Sequence, residues 1–150
     1  MLRRTLFMYD EKNLIYIFTM LECTEKCWIY TKSFSDANDL VRANEQKDLN
    51  AIISLFIAIG EESKKIDNNL KEDINIKLNW SEVAGMRDKI SHNYRGVDQD
   101  ILWAILQKDL SVLKNALIEM LKLIDNKSLI EEFLQSPYYK HLVYLKDIIK

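Results

Sequence analysis

Apolar residues recur along most of this chain at helical spacing. Between about Asp10 and Thr31, Leu14, Ile17, Phe18, Leu21 and Trp28 fall on one stripe, the pattern of an amphipathic helix. Ser33 to Ala37 interrupts it, and Ser35 or Asp36 is placed to cap a short helix ending near Arg42. A longer helix is predicted from about Gln46 to Ile66. Its Leu49, Ile52, Ile53, Phe56 and Ile57 make a dense face that Ala58 and Ile59 widen, so it is expected to be central and buried on several sides. Residues 67–79 form a polar gap. Within it Ile74, Ile76 and Leu78 alternate with polar residues, a strand signal. A lone strand has no hydrogen-bonding partner, so an extended loop that tucks these side chains onto the helices is expected instead.

Asn79 and Glu82 then have the spacing of a capping box. Val83, Met86 and Ile90 supply the buried stripe of the helix that follows, and Gly96 is its expected stop. Asp98 caps the longest helix. Leu102, Ile105, Leu106, Leu110, Leu113, Leu117, Met120, Leu121 and Ile124 line one face of it. The tail reads as two short helices, one started by Ser128 with Glu131 and one by Ser136-Pro137. The pattern predicts an all-α bundle of four to five main helices with short C-terminal helices. It is one domain over residues 1–150, with a core of about 10–124 and an extension over 125–150.

Composition narrows the picture in the same direction. The 150 residues hold three glycines and one proline, against roughly ten and seven at average usage. So few turn residues disfavour a β-sandwich or barrel. With 48% apolar and 29% charged residues, the chain has the balance of a globular domain rather than a disordered one. A net charge of −2 excludes a strongly basic chain that coats nucleic acid, so any anion chemistry must come from a local cluster. Cys23 and Cys27 are four apart on one predicted helix face. They read as core residues rather than a disulfide framework or a zinc site. No apolar run approaches the roughly 20 residues of a membrane span, and a soluble cytoplasmic protein is expected.

The local cluster lies between Met86 and Asp98. Arg87, Lys89, His92 and Arg95 concentrate cationic character there, and Tyr94 adds an aromatic ring. Histidine exchanges a proton near neutral pH. Arginine offers a planar fork to phosphate oxygens. Together they suit attack of a ribose 2′-hydroxyl on the adjacent phosphate without a metal or cofactor. In one continuous helix, however, His92 would lie about 140° around from Arg87. Convergence needs a helix that loosens near His92, or a second subunit.

The sequence Arg87-x4-His92-x-Tyr94 resembles the Arg-x4-His-x-Tyr signature of HepT-type toxins in the HEPN superfamily of ribonucleases. The flanks are similar too: Ile59 to Ile66, Trp80 to Arg87, Tyr94 to Asp98 followed by Ile101-Leu102-Trp103, and Asp109 to Leu113. The resemblance covers about Asp10 to Ile124. It implies a HEPN-type bundle that forms a homodimer, with two Arg87/His92 pairs in one cleft. It also implies a metal-independent endoribonuclease that cleaves mRNA or tRNA as the toxin of a type II toxin–antitoxin system. The implied antitoxin is an MntA-type nucleotidyltransferase that transfers AMP to Tyr94, blocking the RNA site by charge and shape. Arg87 and His92 are then the catalytic residues. Glu61, Asp88, Lys89, Asn93 and Arg95 are candidates for support or RNA contact, and neither a metal, DNA nor a membrane is expected.

Two departures bear on that reading. Asp88 stands where asparagine is common, and Arg95 replaces a frequent aromatic. The alternatives are a non-catalytic HEPN partner that docks a nucleotidyltransferase, or a helical interaction protein with no nucleotide chemistry. Gly60 and Gly85, which cost about 1 kcal/mol each against alanine inside a helix, are expected to permit close helix approach around the cleft.

Overall fold

The computed structural model describes residues 9–92 and 96–149, and of His92 the backbone alone. Apart from two two-residue strands, its regular structure is all helical. Helix α1 (Asn13–Thr31) buries Leu14, Ile17, Phe18 and Leu21, and α2 (Ala37–Arg42) is capped by Asp36, whose carboxylate accepts from the Asp39 N–H. Asn44, Glu45 and Gln46 are all left-handed and reverse the chain into α3 (Lys47–Lys65). Helices α1 and α3 pack along their lengths. Asn13 ties their ends: buried at the start of α1, it donates to the Asp67 carboxylate and accepts from the Asp67 N–H at 2.9 Å.

Helix α3 is less enclosed than its pattern predicts. Leu49, Ile52, Phe56 and Ile59 are buried, yet Ile57 is 45% exposed. One face meets α1 and another meets the helices after residue 80, which leaves the remaining face to solvent. A short helix, α4 (Asn68–Lys71), interrupts the polar gap. The rest of the gap is irregular, as expected. Ile76 is buried and Leu78 packs against the core, but Ile74 stays 82% exposed.

Asn79 accepts from the Glu82 N–H and starts α5 (Trp80–Ala84). At Gly85 the helix breaks and restarts as α6 (Met86–Lys89). The expected stop at Gly96 is therefore corrected: the helix ends at Lys89. Beyond it, β1 (Ser91–His92) pairs antiparallel with β2 (Gly96–Val97). The Asp98 N–H donates to the Ile90 carbonyl at 2.7 Å, closing the base of the hairpin. Ile90 itself is buried in the core.

Asp98 caps α7 (Gln99–Ala104) through the Ile101 N–H. A π-helical segment (Ile105–Asp109) joins it to α8 (Leu110–Ile124). All nine apolar residues predicted for this face, from Leu102 to Ile124, are buried. In a π-helix the carbonyls bond one residue further along than in an α-helix, and the Leu106 carbonyl accepts the Trp28 indole N–H at 3.0 Å.

The tail has three helical pieces rather than two: α9 (Lys127–Phe133), a 3-10 turn (Pro137–Leu142) and α10 (Leu145–Ile148). Asn126, not Ser128, caps α9, accepting from the Leu129 N–H. Asp125 turns left-handed at the end of α8, which brings Asn126 into capping position two residues early. Ser136 and Pro137 start the second piece as predicted. The tail folds back on α1, where Phe18 meets Phe133 and Tyr139 edge-on, each at 5.1 Å between ring centres.

Candidate functional site

The site is built at the seam between α6 and the hairpin. Gly60 of α3 lies so close to α5 that an added Cβ would stand 2.7 Å from the Ala84 carbonyl oxygen. That approach sets α5 against α3, and the chain reaches Arg87 three residues later. Gly85 is not used in the same way. A Cβ there would be 3.4 Å from the Ser81 carbonyl oxygen, an ordinary contact, and its φ of −96° is open to any residue. The expected role of close approach thus belongs to Gly60.

Met86 and Ile90 are buried and hold α6 down, while Arg87, Asp88 and Lys89 are exposed. The Arg87 guanidinium donates to Ser91 Oγ across the end of the helix. Because α6 stops at Lys89, the 140° separation required by a continuous helix no longer applies. His92 enters on β1, opposite Gly96, one residue beyond the hydroxyl that holds Arg87. Asn93, Tyr94 and Arg95 lie outside the described residues.

Lys89 faces away from Arg87. Two residues on a helix are about 200° apart, and Lys89 Nζ sits between Glu82 at 3.8 Å and Asp109 at 3.7 Å. It forms the rim of a separate groove of about 410 Å³ whose apolar floor includes Val83, Met86, Ile105 and Leu113. Glu61 pairs with Lys64 at 3.3 Å and Glu62 with Lys65 at 3.1 Å, both on the surface of α3. Among the candidates described with their side chains, the exposed guanidinium of Arg87 is thus the one that meets a hydroxyl. Ser91 was not among the sequence candidates. Its signal was available in the spacing, since it stands four residues after Arg87, the separation at which helical side chains meet.

Residues 20–120 match the model of the HepT-like ribonuclease family. The chain belongs to the HepT-like ribonuclease family. It is 40% identical over 70 residues to a Thermococcus cleftensis protein named "Probable ribonuclease HepT", covering 47% of this chain and 63% of that one. A Methanocaldococcus jannaschii protein named as a gamma-glutamylcyclotransferase and "putative RNase" is 31% identical over 111 residues, 74% of this chain and 48% of that one. A second protein of that organism, named "Putative RNase", is 29% identical over 99 residues, 66% of this chain and 87% of that one. The chain thus spans less than two thirds of the length of the first two of these relatives. No solved structure matches it. Ser63 is buried beside Gly60, and its hydroxyl donates to the Gly60 carbonyl at 2.6 Å.

The remaining titratable groups of note lie away from the seam. Burial pushes the Cys23 thiol up to about 11 and raises Cys27 further, so both thiols stay protonated and unreactive at neutral pH. Among the described residues no helix is long and apolar enough to cross a membrane.

Proposed function

We propose that this protein is an endoribonuclease that cleaves RNA without a metal, using Arg87 and His92, and acts as the toxin of a type II toxin–antitoxin pair. The observation that carries the reading is the end of α6 at Lys89. It leaves an exposed, hydroxyl-held guanidinium on one side of the seam and brings His92 in on a strand beside it. Family membership supports RNA as the substrate. In the reaction, Arg87 holds the scissile phosphate and stabilises the charge that develops on it. His92 takes the proton of the ribose 2′-hydroxyl as its oxygen bonds to phosphorus. The P–O5′ bond breaks, and the departing oxygen takes a proton from the imidazolium. The products are a 2′,3′-cyclic phosphate and a 5′-hydroxyl.

The proposal extends to assembly and control. Two copies form the working cleft, and an MntA-type nucleotidyltransferase silences it by placing AMP on Tyr94, which lies outside the described residues. The test uses the full chain free of any antitoxin. It should cleave single-stranded RNA in EDTA and leave cyclic phosphate ends. Arg87→Ala and His92→Ala should each lose at least about 100-fold in rate, in line with the effect of removing a general acid–base group, and lose growth inhibition as well. Equal toxicity of the His92→Ala protein would sink the catalytic reading, whereas harmless wild-type expression without RNase activity would favour a non-catalytic partner. Co-expression with a nucleotidyltransferase should add whole AMP units to the intact mass, and Tyr94→Phe should abolish the gain.

A further inference from the structure

We propose that Ser91 is a phosphate-contacting residue that works as a pair with Arg87, holding the guanidinium in place and offering its own hydroxyl to the same anion. The inference rests on the proposed reading of Arg87 as the phosphate-binding group.

The backbone around Ser91 is fixed from both sides. Upstream, buried Ile90 anchors the end of α6. Downstream, Ser91 pairs with Val97 in the hairpin, and the Asp98 N–H closes on the Ile90 carbonyl. The position of the hydroxyl is therefore set by tertiary contacts rather than by a helical ladder. The Arg87 guanidinium donates to Ser91 Oγ, so a long side chain with many rotamers is already tied at its tip. An arginine held this way gives up less freedom when an anion binds.

The donor count points the same way. A guanidinium carries five N–H donors, and a serine hydroxyl carries one O–H and two lone pairs. The contact uses one N–H and one lone pair. Among the described residues the serine O–H meets no acceptor, and accepting from a cation polarises it toward donation. Both residues are exposed, so an arriving phosphate reaches the free guanidinium edge and the free hydroxyl together. Ser91 is also the residue next to His92, which puts its hydroxyl on the same strand as the proposed general base. A purely structural contact would hold Arg87 and do nothing to the anion.

Three variants separate these roles. Binding is followed by nuclear magnetic resonance titration with inorganic phosphate and with a short oligonucleotide whose 2′-hydroxyls are methylated and cannot be cleaved. Ser91→Ala should weaken oligonucleotide binding about five- to tenfold, the scale of one ordinary hydrogen bond, with an unchanged melting temperature. Ser91→Thr, which keeps the hydroxyl and suits a strand, should restore affinity to within about twofold. In cleavage assays the Ser91→Ala loss should appear in KM and kcat/KM more than in kcat. Wild-type affinity in Ser91→Ala, with Arg87→Ala defective, overturns the proposal and leaves Ser91 a structural contact. Wild-type affinity in Arg87→Ala overturns the reading of the site on which it rests.

Discussion

At the scale of single residues, backbone approach and burial matter more than residue type. Gly60 and Gly85 carry the same sequence cost, but only Gly60 meets another helix. A Cβ at Gly60 would press on a backbone oxygen, the Ala84 carbonyl, which cannot rotate away. Gly60→Ala should therefore cost about 1–3 kcal/mol, the usual range for overpacking, whereas Gly85→Ala should be neutral or slightly stabilising; thermal unfolding of the two variants checks the contrast. Glu22 makes a second residue-scale case. It is buried in α1 with one carboxylate oxygen unpartnered, and its other oxygen lies 3.5 Å from His141 Nε2. Burial raises its pKa above the ordinary 4.5, with His141 and Lys26 opposing and Glu25 adding to the rise. A raised carboxylate means the folded state holds the proton more tightly than the unfolded one. This contribution to stability is therefore lost as pH rises from about 4.5 through the raised value. Glu22→Gln removes the penalty, so urea unfolding should show the variant gaining on the wild type as pH rises above about 4.5.

Elements depend on neighbours as well as on their own pattern. The apolar stripe from Leu102 to Ile124 was legible because buried positions recur at helical spacing, and all of it is buried. The π-segment inside that stripe was not legible, because it rests on a contact from another helix. Trp28 donates to the Leu106 carbonyl from 78 positions away in sequence. Trp28→Phe should remove that hydrogen bond at the join of α7 and α8 and cost about 0.5–1.5 kcal/mol, the net worth of one hydrogen bond, read by urea unfolding. The end of α6 has the same origin. Val83, Met86 and Ile90 fit a helix running on to Gly96, and the pattern holds no stop at Lys89. The stop comes from Ile90 being buried while its carbonyl bonds to Asp98. The candidate site was only half readable: Arg87 and His92 stood out by type, and Ser91 had the i,i+4 spacing to meet Arg87, but nothing in the pattern marked a serine as its partner.

For the molecule as a whole, the extension over residues 125–149 packs into the core. Ile130, Leu134, Leu142 and Leu145 are buried, and Phe133 and Tyr139 close over Phe18. Four buried aliphatic side chains are worth about 6–12 kcal/mol at 1.5–3 each, comparable with the whole stability of a typical domain. A chain truncated after Ile124 should therefore fail to show a cooperative melting transition. The sequence by itself determined the all-helical class, most helix starts, the core face of α1 and of the Leu102–Ile124 stripe and the Arg87/His92 signature, because these follow from local spacing and capping chemistry. Only the tertiary structure decided where α6 stops, which glycine matters, that Lys89 pairs with Glu82 and Asp109 across the groove, and that Ser91 holds Arg87. The first three depend on atoms brought together from different elements, which no periodicity along the chain encodes; the Ser91 contact has the spacing of a helical pair, and the structure shows that the pair forms.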